Sequence, residues 1–422
     1  MRLKDSGVDW IGKIPEGWKT FRQMDVSSEV KHVNARLQET NLLSLSYGKI
    51  VRKDIKSVTG LLPESFEGYN IIEPRDVVVR LTDLQNDHHS IRVARSSERG
   101  IITSAYITLR PNSLMDSGYF YYGLLAFDIQ KELYGMGGGV RQSLNYDQFK
   151  RMMLPVPTID EQRRIVAYLD KQTVAIDSRV AVLEQKLAAY KRLKASVINR
   201  AVTRGLDPKP KLKDSGVKWL SKTPKDWKRY RLKDITNLDP LCEENAISGN
   251  VSFVPMECLR NDKIEKREIA FEDAVRKYTY FSNGDVLVAK VTPCFENGNI
   301  AVAEELLQGV GFGSSEIFVL RANDQVVGRF LFYLVQSLYF GANACSTMCG
   351  FGGLKRISPL FMTSQEVYMP VIAEQRAIAD YLDVECAKID KMAELVTREV
   401  ELYKKLKRSL INEVVTGKRE VA

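Results

Sequence analysis

Two stretches of the chain carry apolar residues at alternating spacings of four and three, the period of a helix that buries one narrow stripe against a partner. The first stripe reads Leu169, Thr173, Ile176, Val180, Leu183, Leu187, Tyr190, Lys194, Val197, Ala201. The second reads Leu382, Cys386, Ile389, Ala393, Val396, Val400, Tyr403, Lys407, Leu410, Val414. A lysine interrupts both at the same place. Acids open each helix (Asp160 and Glu161, then Glu374), where they complement the helix dipole, and Pro157 or Pro370 stands just before. From Glu161 to Thr203 such a helix is a rod of roughly 60 Å. Two matched stripes in one chain predict that the helices pair with each other.

Elsewhere the pattern changes to short β-branched runs. "DVVVR" (76–80) and "DVLVA" (285–289) predict strands, as do "SAYITLR" (104–110) and "SEIFVLR" (315–321). The apolar runs 117–135 and 327–344 each predict a helix packed into its own domain. A glycine-rich stretch then follows in each half, "GMGGGVRQ" or "CGFGGLKR", read as a flexible connection. These matches keep the same order, and they begin with "LKDSGVDWIGKIPEGWKTFR" (3–22) against "LKDSGVKWLSKTPKDWKRYR" (212–231), identical at twelve of twenty positions. The chain is a duplication. The expected fold class is α+β: two tandem domains alternating with two long helices that pair as an antiparallel coiled coil, a pseudo-two-fold internal repeat. Boundaries are expected at 1–157, 158–205, 206–370 and 371–422.

Composition narrows the function. With 422 residues, 44% of them hydrophobic, the chain has enough apolar surface for substantial cores. No run approaches the eighteen apolar residues of a membrane span and the start lacks a signal-peptide core, so a cytoplasmic protein without a membrane partner is expected. All six cysteines fall in the second half, which excludes a duplicated disulfide framework and points to free thiols. Cys345 and Cys349 lack the histidine or second cysteine pair that a metal site needs, so no metal is expected. The net charge of +9 hints at a polyanionic partner, and 185–204 holds six basic residues and no acid. Signatures of catalysis are missing. There is no DPPY or NPPY loop for adenine methylation and no GxxxxGK[ST] phosphate loop. Glu184 and Lys186, spaced as in some nucleases, sit inside the predicted helix.

The paired "GVxWxGxxPxxW" openings, the second with Ser221 in place of the middle glycine, the "GGVRQSLNYDQF" loop, the "P…EQ" helix starts and the helix ends "VINRAVTRG" and "LINEVVTGK" resemble the specificity (S) subunit of type I restriction-modification enzymes, over essentially the whole chain. The resemblance implies two target-recognition domains, each reading half of a bipartite sequence in double-stranded DNA, and two helices that form the coiled coil. It also implies that chemistry belongs to partners. Two modification subunits would methylate adenine N6 with S-adenosylmethionine, and restriction subunits would use ATP and Mg, leaving no cofactor in this chain. The residues alone leave two alternatives open: a coiled-coil scaffold joining two protein-binding domains without DNA contact, or a specificity subunit of a different methyltransferase or nuclease system.

Comparing the halves locates the expected reading residues, because a bipartite target needs unequal readers on equal frames. The halves diverge after the DVxV strands, "RLTDLQNDHHSIR" (80–92) against "KVTPCFENGNI" (290–300). These hold side chains that match base edges, with Arg80 and Lys290 suited to guanine and Gln85, Asn86, Asn297 and Asn299 to adenine. Thr82, Thr292, His88 and His89 complete the polar set, the histidines as phosphate contacts. After the glycine stretches, Arg141 and Gln142, with Lys355 and Arg356, are placed to grip bases or backbone. The pairing seam is expected at Leu169, Ile176, Leu183, Leu187 and Tyr190 against Leu382, Ile389, Val396, Val400 and Tyr403. Antiparallel pairing would make the coil a ruler between half-sites about one helical turn of DNA, roughly 34 Å, or a multiple of it apart.

Overall fold

The structure, a computed structural model, describes residues 2–54, 65–84, 87, 90–136, 144–217, 220–242, 247–351 and 354–421. They form two compact units, Met1–Glu184 with Arg398–Ala422, and Gln185–Thr397, so each unit takes part of each long helix.

In the first unit the valine run Val77–Val79 lies inside an antiparallel sheet ordered Ser27–Glu29, Ile107–Pro111, Val77–Val79, Val93–Arg95. All three valines are fully buried. Both faces of this strand meet protein, so the run shows no polar alternation. The second unit repeats the order with Thr236–Leu238, Ile317–Ala322, Val286–Ala289, Ile300–Val302. A buried aspartate before each valine strand receives a two-pronged arginine from the neighbouring strand: Arg110 on Asp76 at 2.7 and 2.8 Å, Arg321 on Asp285 at 2.9 and 2.7 Å. The strands between the opening motif and the valine strand differ, as do their partners. The first unit has the hairpin Leu43–Ser46/Lys49–Arg52 and the pair Asn70–Ile72/Gly100–Ile102, whereas the second has a four-stranded sheet that includes the parallel pair Asn250–Val254/Val310–Gly313.

Each predicted apolar helix is two helices. Ser117–Ile129 stops before Glu132–Met136, with Lys131 between them in the left-handed region at φ 67°, and Gly328–Gln336 stops at Ser337, whose hydroxyl caps Leu338–Ser346 by accepting the Phe340 N–H. Both breaks fall at short polar clusters, Gln130-Lys131-Glu132 and Gln336-Ser337, flanked on each side by apolar sequence that reads as one continuous helix. The second glycine-rich stretch is likewise a strand pair, Cys349–Phe351 with Leu354–Arg356, and its counterpart at 137–143 lies outside the described residues.

The repeated opening motif closes each domain onto its helix. Lys19–Arg22 pairs with Met153–Val156, and Lys228–Arg231 with Glu366–Met369, the last strand before each long helix. Trp18 donates its indole N–H to Glu161, and Trp227 does the same to Glu374. The neighbouring glutamines are buried. Gln162 donates to the carbonyls of Leu114 and Pro157 and accepts the Asp116 N–H, while Gln375 donates to those of Gln325 and Pro370 and accepts the Val327 N–H. The "P…EQ" motif is therefore a joint between the helix and the domain behind it.

The long helices are Ile159–Arg204 and Ile372–Val415. All twenty stripe positions are buried or half-buried. In the first unit Leu169 and Ile176 pack with Leu410, Ile411, Val414 and Val415. In the second, Ile198, Ala201 and Val202 share a core with Ile378, Ala379, Leu382 and Cys386. The lysine in each stripe finds an acid on the other helix: Lys407 meets Asp177 at 2.7 Å in the first unit, and Lys194 meets Asp390 at 2.6 Å in the second.

Candidate nucleic-acid interface

The candidate reading stretches leave the same strand of the repeated sheet, and the residues that follow the glycine stretches return beside them. In the first unit Leu144, just after the glycine stretch, donates its N–H to Leu81 O at 3.0 Å. In the second unit Thr292 N–H reaches Lys355 O at 3.0 Å, Lys355 N–H reaches the Thr292 hydroxyl at 2.9 Å, and Ile357 N–H reaches Lys290 O at 2.9 Å. In the second unit two candidate segments more than 50 residues apart in sequence thus form one surface, and in the first unit Leu144 brings the chain back to the foot of the reading stretch.

In the first unit that surface is shaped by Arg92, which is fully buried. Its guanidinium donates to the carbonyls of Thr82 (2.7 Å), Asp83 (2.9 Å) and Asp87 (2.7 Å), lies 3.5 Å from Arg80 O, and reaches the Tyr134 hydroxyl at 3.1 Å. The Tyr134 hydroxyl in turn donates to Asp87 O, and the Arg92 N–H donates to the Asp128 carboxylate at 2.7 Å. Burial pushes the Asp128 carboxyl above its ordinary range. A guanidinium offers five donors in a rigid fork, so one side chain sets the path of the stretch that follows Val79. Sequence reasoning missed Arg92. It closes a polar stretch without any periodic or motif signal.

Arg80 lies half-buried, 3.6 Å from Asp83 and 3.4 Å from Asp87, and Thr82 is half-buried with its carbonyl on Arg92. Gln85, Asn86, His88, His89, Arg141 and Gln142 lie outside the described residues.

The second unit builds the same place differently. Lys290 sits 3.5 Å from Asp239, donates to Ser315 O at 3.0 Å, and lies over the Phe318 ring at 4.4 Å. Arg356 makes a two-pronged contact with Glu316 at 3.0 and 2.7 Å, which holds the Glu316 carboxyl below its usual value. Asn297 and Lys355 are exposed. Two expected reading residues are corrected by their burial. Thr292 and Asn299 are each only 8% exposed. The Thr292 hydroxyl is occupied by the Lys355 N–H, and the Asn299 backbone bonds to Cys294 and Ala289, so both shape the loop from inside. Arg80, Lys290 and Arg356 stand in ion pairs rather than as open cations, so a base or phosphate has to exchange with a carboxylate to reach them. Among the described residues no cluster of His, Cys, Asp or Glu could hold a metal.

The family model for the type I restriction modification DNA specificity domain matches residues 15–185 and again 224–397. The chain belongs to this family. The two matches coincide with the two copies of the repeated sheet and the first part of each long helix. A specificity subunit of the type I restriction enzyme MjaVIII from Methanocaldococcus jannaschii is 23% identical over 97% of this chain and 94% of its own length. The EcoAI specificity subunit of Escherichia coli is 28% identical over 48% of this chain, and the EcoEI subunit of the same organism 32% identical over 40%. Those matches span only 34% and 29% of the two E. coli proteins, about a third of their length. Among solved structures, a chain from work on complex assembly and conformational transition of the type I R-M system superposes with a TM-score of 0.71 at 15% identity, covering 96% of this chain and 99% of that one. At that identity the likeness speaks to the fold.

Proposed function

We propose that this family member reads a bipartite sequence in double-stranded DNA, one half with each unit, and directs adenine-N6 methylation and restriction carried out by partner subunits. The observation that carries the reading is the duplicated surface. One strand order and one Asp–Arg tie hold two reading stretches of unrelated sequence, which is the arrangement a two-part target requires. Base-edge contacts are assigned to Arg80 and Lys290, after exchange of their carboxylate partners, and to Asn297. Lys355 and Arg356 hold phosphate. S-adenosylmethionine, ATP and Mg belong to the partners. Among the described residues no helix is long and apolar enough to cross a membrane.

The two long helices are assigned to an antiparallel coiled coil. Full or partial burial of every stripe position supports this, as do the Lys407–Asp177 and Lys194–Asp390 pairs, since a charged residue in an apolar seam is tolerated in the register that gives it a partner. Partner subunits dock on the helix flanks. Val174, Val182 and Leu402 are more than half exposed in the first unit, and Val384, Met392 and Leu395 in the second. Each unit also has a small cavity beside a matching tyrosine, about 440 Å³ at Tyr168 and about 260 Å³ at Tyr381. A matching tyrosine and an exposed apolar flank in each unit predict two modification subunits per chain.

Gel-shift titration of bipartite DNA with the chain and its modification partner tests the reading. Specific retention of one duplex over its half-site variants is expected, and an unshifted duplex at every salt concentration would leave a scaffold. Native mass spectrometry saturating at one partner copy would overturn the symmetric docking.

A further inference from the structure

The first unit holds a cleft of about 380 Å³ that its reading stretch does not fill. One wall is the tip of the hairpin Leu43–Ser46/Lys49–Arg52, another is formed by Ser90 and Ile91, and the floor by Tyr121, Leu125 and the two long helices. Five cations line it (Lys49, Lys131, Lys404, Lys407, Arg408) against the carboxylates of Asp128 and Asp177. Lys407 is taken by Asp177, and Lys404 lies between Glu184 and Glu401. Among the described residues Lys49 and Arg408 face no acid within ion-pair distance, and both are exposed.

Tyr47 is the second observation. It occupies a two-residue turn with φ 46° followed by Gly48 at φ 76°, the left-handed pair of a type I′ hairpin, where Asn, Asp or Gly is the ordinary occupant of the first position. A tyrosine there carries backbone strain, and its ring is 83% exposed, so no packing repays it. The turn rests on the reading stretch: a Cβ on Gly48 would come within 2.7 Å of the Ile91 side chain. The strained tyrosine is thus held at a set distance from the surface assigned to base reading.

We infer that Tyr47, Lys49 and Arg408 form a clamp for the sugar–phosphate backbone of duplex DNA beside the half-site read by the first unit. The inference rests on the DNA-reading function proposed above. Excess positive charge selects a polyanion, continuity through Ser90 and Ile91 with the stretch proposed to read bases selects duplex DNA, and a tyrosine supplies a hydroxyl for phosphate and a ring for deoxyribose. Such contacts position the duplex without reading it.

The test uses the chain assembled with its modification subunit and the specific duplex, titrated at graded KCl. Lys49→Ala with Arg408→Ala should weaken binding roughly tenfold for every sequence and reduce the slope of log K against log salt by about two, at about 0.9 per phosphate contact. Tyr47→Asn suits the turn and should fold at least as well, yet bind several-fold more weakly. Retained affinity and slope in both variants would overturn the clamp while leaving sequence-specific binding by the unsubstituted chain intact. Loss of base preference at the first half-site would also overturn it, by making the cleft a reader. Failure of the unsubstituted chain to bind any duplex would instead overturn the function on which the inference rests.

Discussion

Replacing Arg92 separates the shape of the first reading stretch from its chemistry. The side chain is fully buried and touches four carbonyls and one hydroxyl, most of them in the stretch 80–87. Hydrogen bonds from a charged donor contribute about 1.5–3 kcal/mol each, but these share one group and do not add. Arg92→Met removes all of them, with an expected cost of about 3–5 kcal/mol, as for a broken buried charge network. For a unit of this size that corresponds to a fall in Tm of roughly 6–20 °C, within what a domain of ordinary stability survives. Arg92→Lys keeps the charge but has three donors and no planar fork, so at least two of the five contacts are lost, costing about 1–3 kcal/mol. Hydrogen exchange should rise at 81–84 in both variants, more in Met than in Lys. Binding titrations against single-base variants should show discrimination flattening at the half-site read by the first unit and unchanged at the other. If Arg92→Met folds with unaltered exchange at 81–84 and unaltered base preference, Arg92 does not hold the reading stretch and the reasoning fails.

Other expectations are narrower. Lys407→Asp should cost about 0.4–2 kcal/mol, an exposed pair lost plus a like-charge penalty of similar size, and Asp177→Lys added to it should restore most of the loss; a double variant no better than the single one, by chemical denaturation, would deny the pair a role in helix register. Lys355→Ala should weaken binding of all duplexes alike and lower the salt slope by about one, while a change confined to one base position would make Lys355 a reader. The Glu316 carboxyl is held below its ordinary value by Arg356, so the stability it contributes is fully present above the unfolded-state pKa and is lost as pH falls through the folded one. Glu316→Gln should therefore flatten the acid limb of the stability curve below about pH 4.5, and an unchanged limb in urea titrations would show that the bridge does not form in solution.

Much of the architecture was legible in one dimension. The duplication shows as repeated letters, and the valine strands and long helices announce themselves through side-chain period and local propensity, which a run of β-branched residues or a period of 3.5 records whatever distant segment later covers them. Even the odd lysine of each stripe was visible, though not the aspartate it meets, because Asp177 and Asp390 lie beside the stripe and only the facing helix reveals which of several acids is in reach. The breaks at Lys131 and Ser337 coincide with short polar clusters, Gln130-Lys131-Glu132 and Gln336-Ser337, that a run otherwise apolar on both sides lets pass as one helix. The recognition surface depended most on tertiary structure. Thr292 and Asn299 have the chemistry of base readers and are turned inward, Arg80, Lys290 and Arg356 carry carboxylate partners, and Arg92, with nothing to distinguish it in the sequence, organises the first stretch. Whether a polar side chain faces a ligand or a carbonyl is set by which distant backbone passes within about 3 Å of it, and that distance exists only after the chain has folded.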